Sequence, residues 1–104
     1  MELRQLRLSE MISVGIADMA FTQDATQQII TYALGSCAGV SFFDPKACVG
    51  GMIHCMLPMS SNDPNKAKLQ PAMYVDTGLV LLLQKLFDLG ADRKNLICKV
   101  AGLT

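Results

Sequence analysis

Apolar and polar positions change their spacing several times along the chain, and each change marks an element. In the first ten residues Leu3, Leu6 and Leu8 alternate with Arg4, Arg7 and Glu10. That weak amphipathicity reads as an N-terminal arm over residues 1–11, ahead of one domain spanning 12–104. Ile12 to Ala17 is a short apolar run and reads as a first strand. Asp18 to Gln28 is polar and turn-rich, with room for a short helix. Gln28 to Leu34 (QIITYAL) carries the β-branched and aromatic residues that suit a pleated surface, and Gly35-Ser36 stops it. Gly39 to Phe43 reads as another strand. Asp44-Pro45-Lys46 is a turn signal, because proline fixes φ and aspartate accepts from the backbone that follows it. Ala47 to Leu57 is almost continuously apolar and closed by Pro58, the pattern of a strand buried on both faces. The last two strands predict a hairpin centred on Asp44 and Pro45.

Ser60 to Gln70 (SSNDPNKAKLQ) is polar and predicts an exposed loop. From Ala72 to Leu89 the spacing becomes helical: Val75, Leu79, Leu82, Leu83 and Leu86 recur at three- and four-residue steps and make one apolar face. Gly90 stands where a left-handed cap ends a helix. Leu96 to Val100 predicts a final strand. No internal repeat or low-complexity tract interrupts this order, and the expected class is α+β.

Composition narrows the function. A chain of 104 residues supports one domain. Apolar residues make up 51% and charged residues 17%, with mean hydropathy +0.33. That is apolar for a small soluble domain, so either much of the chain is buried or part of its natural cover lies outside it. Nine Lys and Arg balance nine Asp and Glu; without a basic patch, nucleic-acid binding is set aside. No stretch approaches the roughly 20 apolar residues of a spanning helix. The N-terminus lacks an apolar core followed by a small-residue cleavage site, so the cytoplasm is the expected compartment. Four cysteines, Cys37, Cys48, Cys55 and Cys98, include no Cys-x-x-Cys pair and accompany one histidine. Disulfides are not expected in a reducing compartment, and neither a metal nor another cofactor is implied.

The candidate chemistry begins at Leu34-Gly35-Ser36-Cys37. A tight turn at Gly35 and Ser36 can expose the sulfur and leave backbone N–H groups available as oxyanion donors. The same tripeptide also serves as a plain turn before a buried cysteine. A free thiol is a weak nucleophile near neutral pH and needs a base. His54 is the only histidine, so a cysteine–histidine mechanism must use it. It sits in an apolar run, where a core histidine is the simpler reading, yet burial also keeps an imidazole neutral and able to accept a proton. In a regular strand His54 shares a face with Met52 and Met56, while Ile53, Cys55 and Leu57 point the other way. Cys55 is therefore a poor partner despite adjacency. Cys48 shares the parity of His54 but lies about 20 Å away along a strand. Cys37, arriving from another strand, is the plausible partner. Thr31, six residues before Cys37, offers a hydroxyl that could orient the ring, or is simply a good strand former.

Thr31, Leu34-Gly35-Ser36-Cys37, Asp44-Pro45 and Gly51-Met52-Ile53-His54-Cys55-Met56-Leu57-Pro58 together resemble the signature of the CheD family. His54 follows Cys37 by 17 positions, as in that family. Tyr74-Val75-Asp76 at the start of the helix and Leu89-Gly90-Ala91 at its end are also similar. The resemblance implies an α/β/β sandwich, a fold shared with deamidating bacterial toxins. It implies hydrolytic deamidation of selected glutamines on chemoreceptor cytoplasmic domains by a Cys–His–Thr triad: Cys37 as nucleophile, His54 as base, Thr31 holding His54, and Gly35 and Ser36 supporting the turn and oxyanion. The implied partners are chemoreceptors and a CheC-type phosphatase. Where the family reads Lys-x-x-Gly-Gly-Ala, this chain has Lys99-Val100-Ala101-Gly102-Leu103-Thr104, and family domains continue further. The expected domain is thus C-terminally shortened. Two other readings stay open: a binding module that docks receptor or phosphatase without turnover, and a related cysteine amidase or esterase.

Overall fold

A computed structural model describes residues 11–24, 26–32, 34–56 and 63–102. Strand β1 (Met11–Val14) begins at the last residue of the expected arm, the rest of which lies outside the described residues. It is followed by β2 (Asp18–Thr22), β3 (Gln28–Thr31), β4 (Ala38–Asp44) and β5 (Val49–Cys55). Two helices, α1 (Pro64–Leu69) and α2 (Val75–Asp88), precede a last strand, β6 (Ile97–Gly102). The mixed α+β class expected from the sequence is present.

Two expectations are corrected. The described residues of the segment 18–28 hold no helix; β2 occupies its first half and pairs antiparallel with β5, Asp18 opposite His54. Edge pairing along β5 overrides the polar composition that suggested turns. Part of the expected 60–70 loop is helical: the Asp63 side chain accepts from Lys66 N at 3.0 Å and Pro64 occupies the first turn, which is a helix start by cap and preset φ. Ser60, Ser61 and Asn62, with Leu57 and Pro58, lie outside the described residues. Helix α2 also starts later than Ala72, because Pro71–Met73 forms a 3₁₀ turn and Tyr74 is extended.

The strands form a four-stranded sheet in the order β2-β5-β4-β6, antiparallel throughout, and a separate parallel pair β1-β3. The expected hairpin is β4–β5, in register from Asp44↔Val49 to Ala38↔Cys55. Strand β5 is central and largely buried, as its apolar run required. Its odd-numbered residues Val49, Ile53 and Cys55 meet Leu82 and Leu86 of α2 in the core, with Val75 and Leu79 packed at its margin. Close approach depends on Gly78, where a Cβ would collide with Ile53 Cδ1, and on Gly51, where one would stand 2.8 Å from Leu82 Cδ1. The even-numbered side chains of β5, His54 among them, face away from α2 toward the β1–β3 pair. Helix α2 thus covers one face of the four-stranded sheet, and on the other face His54 meets Thr31 of the β1–β3 pair.

Asp44 anchors the hairpin to the far end of α2. Its carboxylate, fully buried, accepts from Lys46 N at 2.9 Å, Ala47 N at 3.0 Å and, across the fold, Asp92 N at 2.7 Å. The Asp92 N–H, then that of Ala47, holds its carboxyl below the ordinary 3.8, because hydrogen bonds to the anion favour the charged form. A depressed folded-state value contributes stability that is present above 3.8 and lost as pH falls through the folded value. The melting temperature is therefore expected to fall as pH drops below about 4. Asp44→Asn is expected to melt lower at pH 7 and to lose less on acidification. Parallel acid slopes for the two proteins would remove Asp44 from the account.

Candidate active site

Thr31 ends β3 directly opposite Val14, the last residue of β1. Its hydroxyl donates to the Val14 carbonyl at 2.7 Å and lies 2.9 Å from His54 Nδ1. The hydroxyl has one proton and Val14 O can only accept it. At Nδ1 the hydroxyl must therefore accept, so the neutral ring carries its proton on Nδ1 and leaves a lone pair on Nε2. That Nε2 is buried and has no hydrogen-bond partner among the described residues. An unpaired buried acceptor costs about 1–3 kcal/mol, a cost that a structural histidine would not carry without reason.

The backbone of His54 is held as firmly as its ring. Its carbonyl accepts from Ala17 N at 2.8 Å. Ala17 has φ 59, a left-handed conformation that costs a non-glycine residue roughly 1 kcal/mol or more. The turn from Val14 to Ala17 therefore fixes both members of the pair, the threonine through a carbonyl and the histidine through an N–H. Sequence reading missed these contributions because backbone groups leave no side-chain signal.

Cys37 follows the turn in which its own N–H donates to Leu34 O at 2.7 Å, with Gly35 at φ +49. The N–H of Cys37 is thus committed to closing the turn. Gly35 and Ser36 are exposed at its tip, and Cys37 is half-buried. Ala38, the next residue, pairs with Cys55, and Gly39 pairs with His54. If the alternation of β4 is carried back one residue, Cys37 falls on the His54 side of the sheet. The fold therefore brings Thr31 and His54 into hydrogen-bond contact and sets Cys37 at the adjoining strand end, without a thiol–imidazole hydrogen bond. Such contacts are often long before substrate binds.

The remaining cysteines separate cleanly. Cys55 lies in the α2-facing core; burial first, and the nearby Cys37 charge second, push its thiol up to about 11, so it is protonated at neutral pH. Cys48 is exposed at the hairpin and Cys98 is exposed on β6. No group of three or more metal-ligating side chains occurs among the described residues. Beside Thr31 is a cleft of about 270 Å³ lined by Leu34, Gly39, Ser41, Met52 and Lys99 among others. A separate depression of about 380 Å³, which shares Ser41 and Met52 in its lining, reaches Phe43 and Cys48. No helix among the described residues is long and apolar enough to cross a membrane.

The family described as "CheD chemotactic sensory transduction" matches residues 56–103, a stretch that begins just beyond His54. Similarity to curated proteins reaches further. The chain is 47% identical over 91 residues to "Probable chemoreceptor glutamine deamidase CheD 1" of Syntrophus aciditrophicus, covering 88% of this chain and 57% of that protein. It is 46% identical over 93 residues to "Probable chemoreceptor glutamine deamidase CheD" of Solibacter usitatus, covering 89% and 55%. A protein of the same description from Thermococcus kodakarensis is 42% identical over 91 residues, covering 88% and 55%. A stretch of 91 residues in a chain of 104 must take in Thr31, Cys37 and His54 wherever it begins. The chain spans little more than half the length of these relatives.

Proposed function

The chain belongs to the CheD family, and from that premise we propose that it hydrolyses the side-chain amide of selected glutamines on chemoreceptor cytoplasmic domains, forming glutamate and releasing ammonia. The observation that carries this reading is the Thr31–His54 pair, whose geometry leaves Nε2 unprotonated and unpaired in the neutral ring. Three separate features support it: the names of the relatives, the position of Cys37 at the strand end beside His54, and the cleft next to Thr31. The cleft is open and lies beside Thr31 and Leu34, where a side chain presented by a larger partner would approach.

In this reading the Cys37 sulfur attacks the carboxamide carbon while its proton passes to His54 Nε2. The oxyanion forms near the turn tip, where Gly35 and Ser36 give support. His54 returns the proton to the departing nitrogen, and the C–N bond breaks to give ammonia and a thioester. Water, deprotonated by Nε2, then attacks the thioester; carboxylate leaves and the thiol regains its proton. Thr31 keeps the ring in the tautomer that every step requires. In this reading the domain is the α/β/β sandwich of the family, the setting is cytoplasmic, and a CheC-type phosphatase is a second partner.

The alternative is a module that docks receptor or phosphatase without turnover. Mass spectrometry of a chemoreceptor cytoplasmic fragment, incubated with this protein or with Cys37→Ala, separates the two. Glutamine converted to glutamate only by the unmodified protein is the expected result. No conversion by a folded protein that still binds the fragment would replace the enzyme with the docking module. Loss of receptor methyl esters instead of amides would move the reading to an esterase.

A further inference from the structure

Gly102, at the end of β6, is 65 positions from Cys37 in the sequence and in contact with it in the fold. It pairs with Ala38 in the β4–β6 ladder. Its φ is +91, a conformation open to glycine and costly for other residues. A Cβ built there would collide with the Cys37 carbonyl oxygen and stand 3.2 Å from Leu34 Cβ. Those two residues open and close the turn that presents the thiol, joined by the bond from Cys37 N to Leu34 O. On its other side Leu34 lies against Gly39, where a Cβ would be 3.0 Å from Leu34 Cδ2, and Gly39 is the register partner of His54. The turn is therefore gripped between two side-chain-free positions, one at each flank.

We propose that Gly102 is a positioning residue for Cys37: the bare backbone at the end of β6 braces the Cys37 carbonyl and holds the turn so that the thiol faces His54. This rests on the Cys37–His54 reading above. It assigns β6 a task that its exposure would not suggest, since every residue of the strand is exposed and it adds little to the core. A substrate side chain would meet a thiol already aimed, which is how small geometric supports become large rate factors.

The test reads the rate at which iodoacetamide alkylates Cys37 at pH 7, resolved from the other cysteines by peptide mass spectrometry, and so needs no receptor. His54→Ala sets the scale, with Cys37 labelling expected to slow about a hundredfold, the lower end of base assistance. Gly102→Ala is expected to fall to the same slow rate with Cys55 still unlabelled. Gly90→Ala is the control: its φ is +105 but nothing lies within 4 Å of an added Cβ, so it carries a similar backbone strain without touching the turn, and Cys37 is expected to label at the unmodified rate. Should Cys55 label in Gly102→Ala, showing that the fold has opened, a chain ending at Ala101 removes the brace without a clash and is expected to show the slow rate. Unmodified labelling of Cys37 in either folded variant, with His54→Ala slow, overturns the role of Gly102 alone. Equal labelling in His54→Ala and the unmodified protein overturns the cysteine–histidine pair, and the brace with it.

Discussion

If the proposed function holds, His54→Leu is expected to abolish deamidation and at the same time to make the protein more stable. Removing a general acid–base group costs typically 10²–10⁴ in rate, and here the same nitrogen must act in both half-reactions, so the upper end applies. The stability change has the opposite sign for a separate reason. His54 is fully buried and its Nε2 is unpaired among the described residues. An apolar side chain of similar size removes that unmet acceptor, and Thr31 keeps its bond to Val14 O. A gain of about 1 kcal/mol is expected, or a melting temperature higher by several degrees in a domain of this size, at about 4–8 °C per kcal/mol. A protein that holds a destabilising group at its site and becomes firmer when the group is lost shows the usual conflict between activity and stability. Thermal unfolding and receptor mass spectrometry on the same preparation check both halves. Native-rate deamidation would end the cysteine–histidine reading. A lower melting temperature would mean that Nε2 is satisfied in solution.

Leu82→Ala is expected to produce the largest loss of stability of any single change considered. Leu82 has no exposed surface and packs with Ile53, Val40 and Leu86 where α2 crosses β5. Truncating a buried leucine costs about 2–5 kcal/mol, more where the surroundings cannot close in. Here they cannot close easily, because Gly51 and Gly78 have already brought helix and sheet to their nearest approach. A protein of this length has roughly 5–15 kcal/mol in all, so the variant stands to lose a large share of it. Ile53 is the neighbour of His54 in β5, so the loss reaches the site through the strand. Urea unfolding is expected to show a lower midpoint with the slope unchanged. A midpoint within error of the unmodified protein would mean that α2 is not seated on β5 as described.

The elements that the sequence foretold are those whose burial imposes a period. The apolar run of β5 belongs to a central strand, and the three-and-four spacing of Val75, Leu79, Leu82 and Leu86 belongs to a helix with one face in the core. Asp44 and Pro45 marked the hairpin because a side chain bonding its own following backbone is a local event. Strand β2 and helix α1 were missed for the complementary reason. In β2, polar Asp18 and Thr22 flank residues that are only half-buried or exposed, and pairing with β5 rather than composition makes it a strand. In α1 a single residue, Ala67, is buried, so no apolar period exists to be read; only the Asp63–Pro64 cap announces it.

For the site, the chain by itself determined which residue types were available. One histidine, a cysteine after Gly35-Ser36, a threonine on the preceding strand and the family resemblance named Thr31, Cys37 and His54. Strand parity alone turned Cys55 away from His54, and the structure puts Cys55 in the core. What only the tertiary structure decided is how these groups are held. The bond between Thr31 and His54 joins residues 23 positions apart, and that between Thr31 and Val14 joins residues 17 apart; together they set the tautomer. The strained turn at Ala17 and the bare backbone at Gly102 act through main-chain atoms that every residue possesses. Periodicity records which side of an element faces the core, because burial selects residue type position by position. It does not record which strand lies beside which, in what register, and the direction of a proton or the aim of a thiol depends on that.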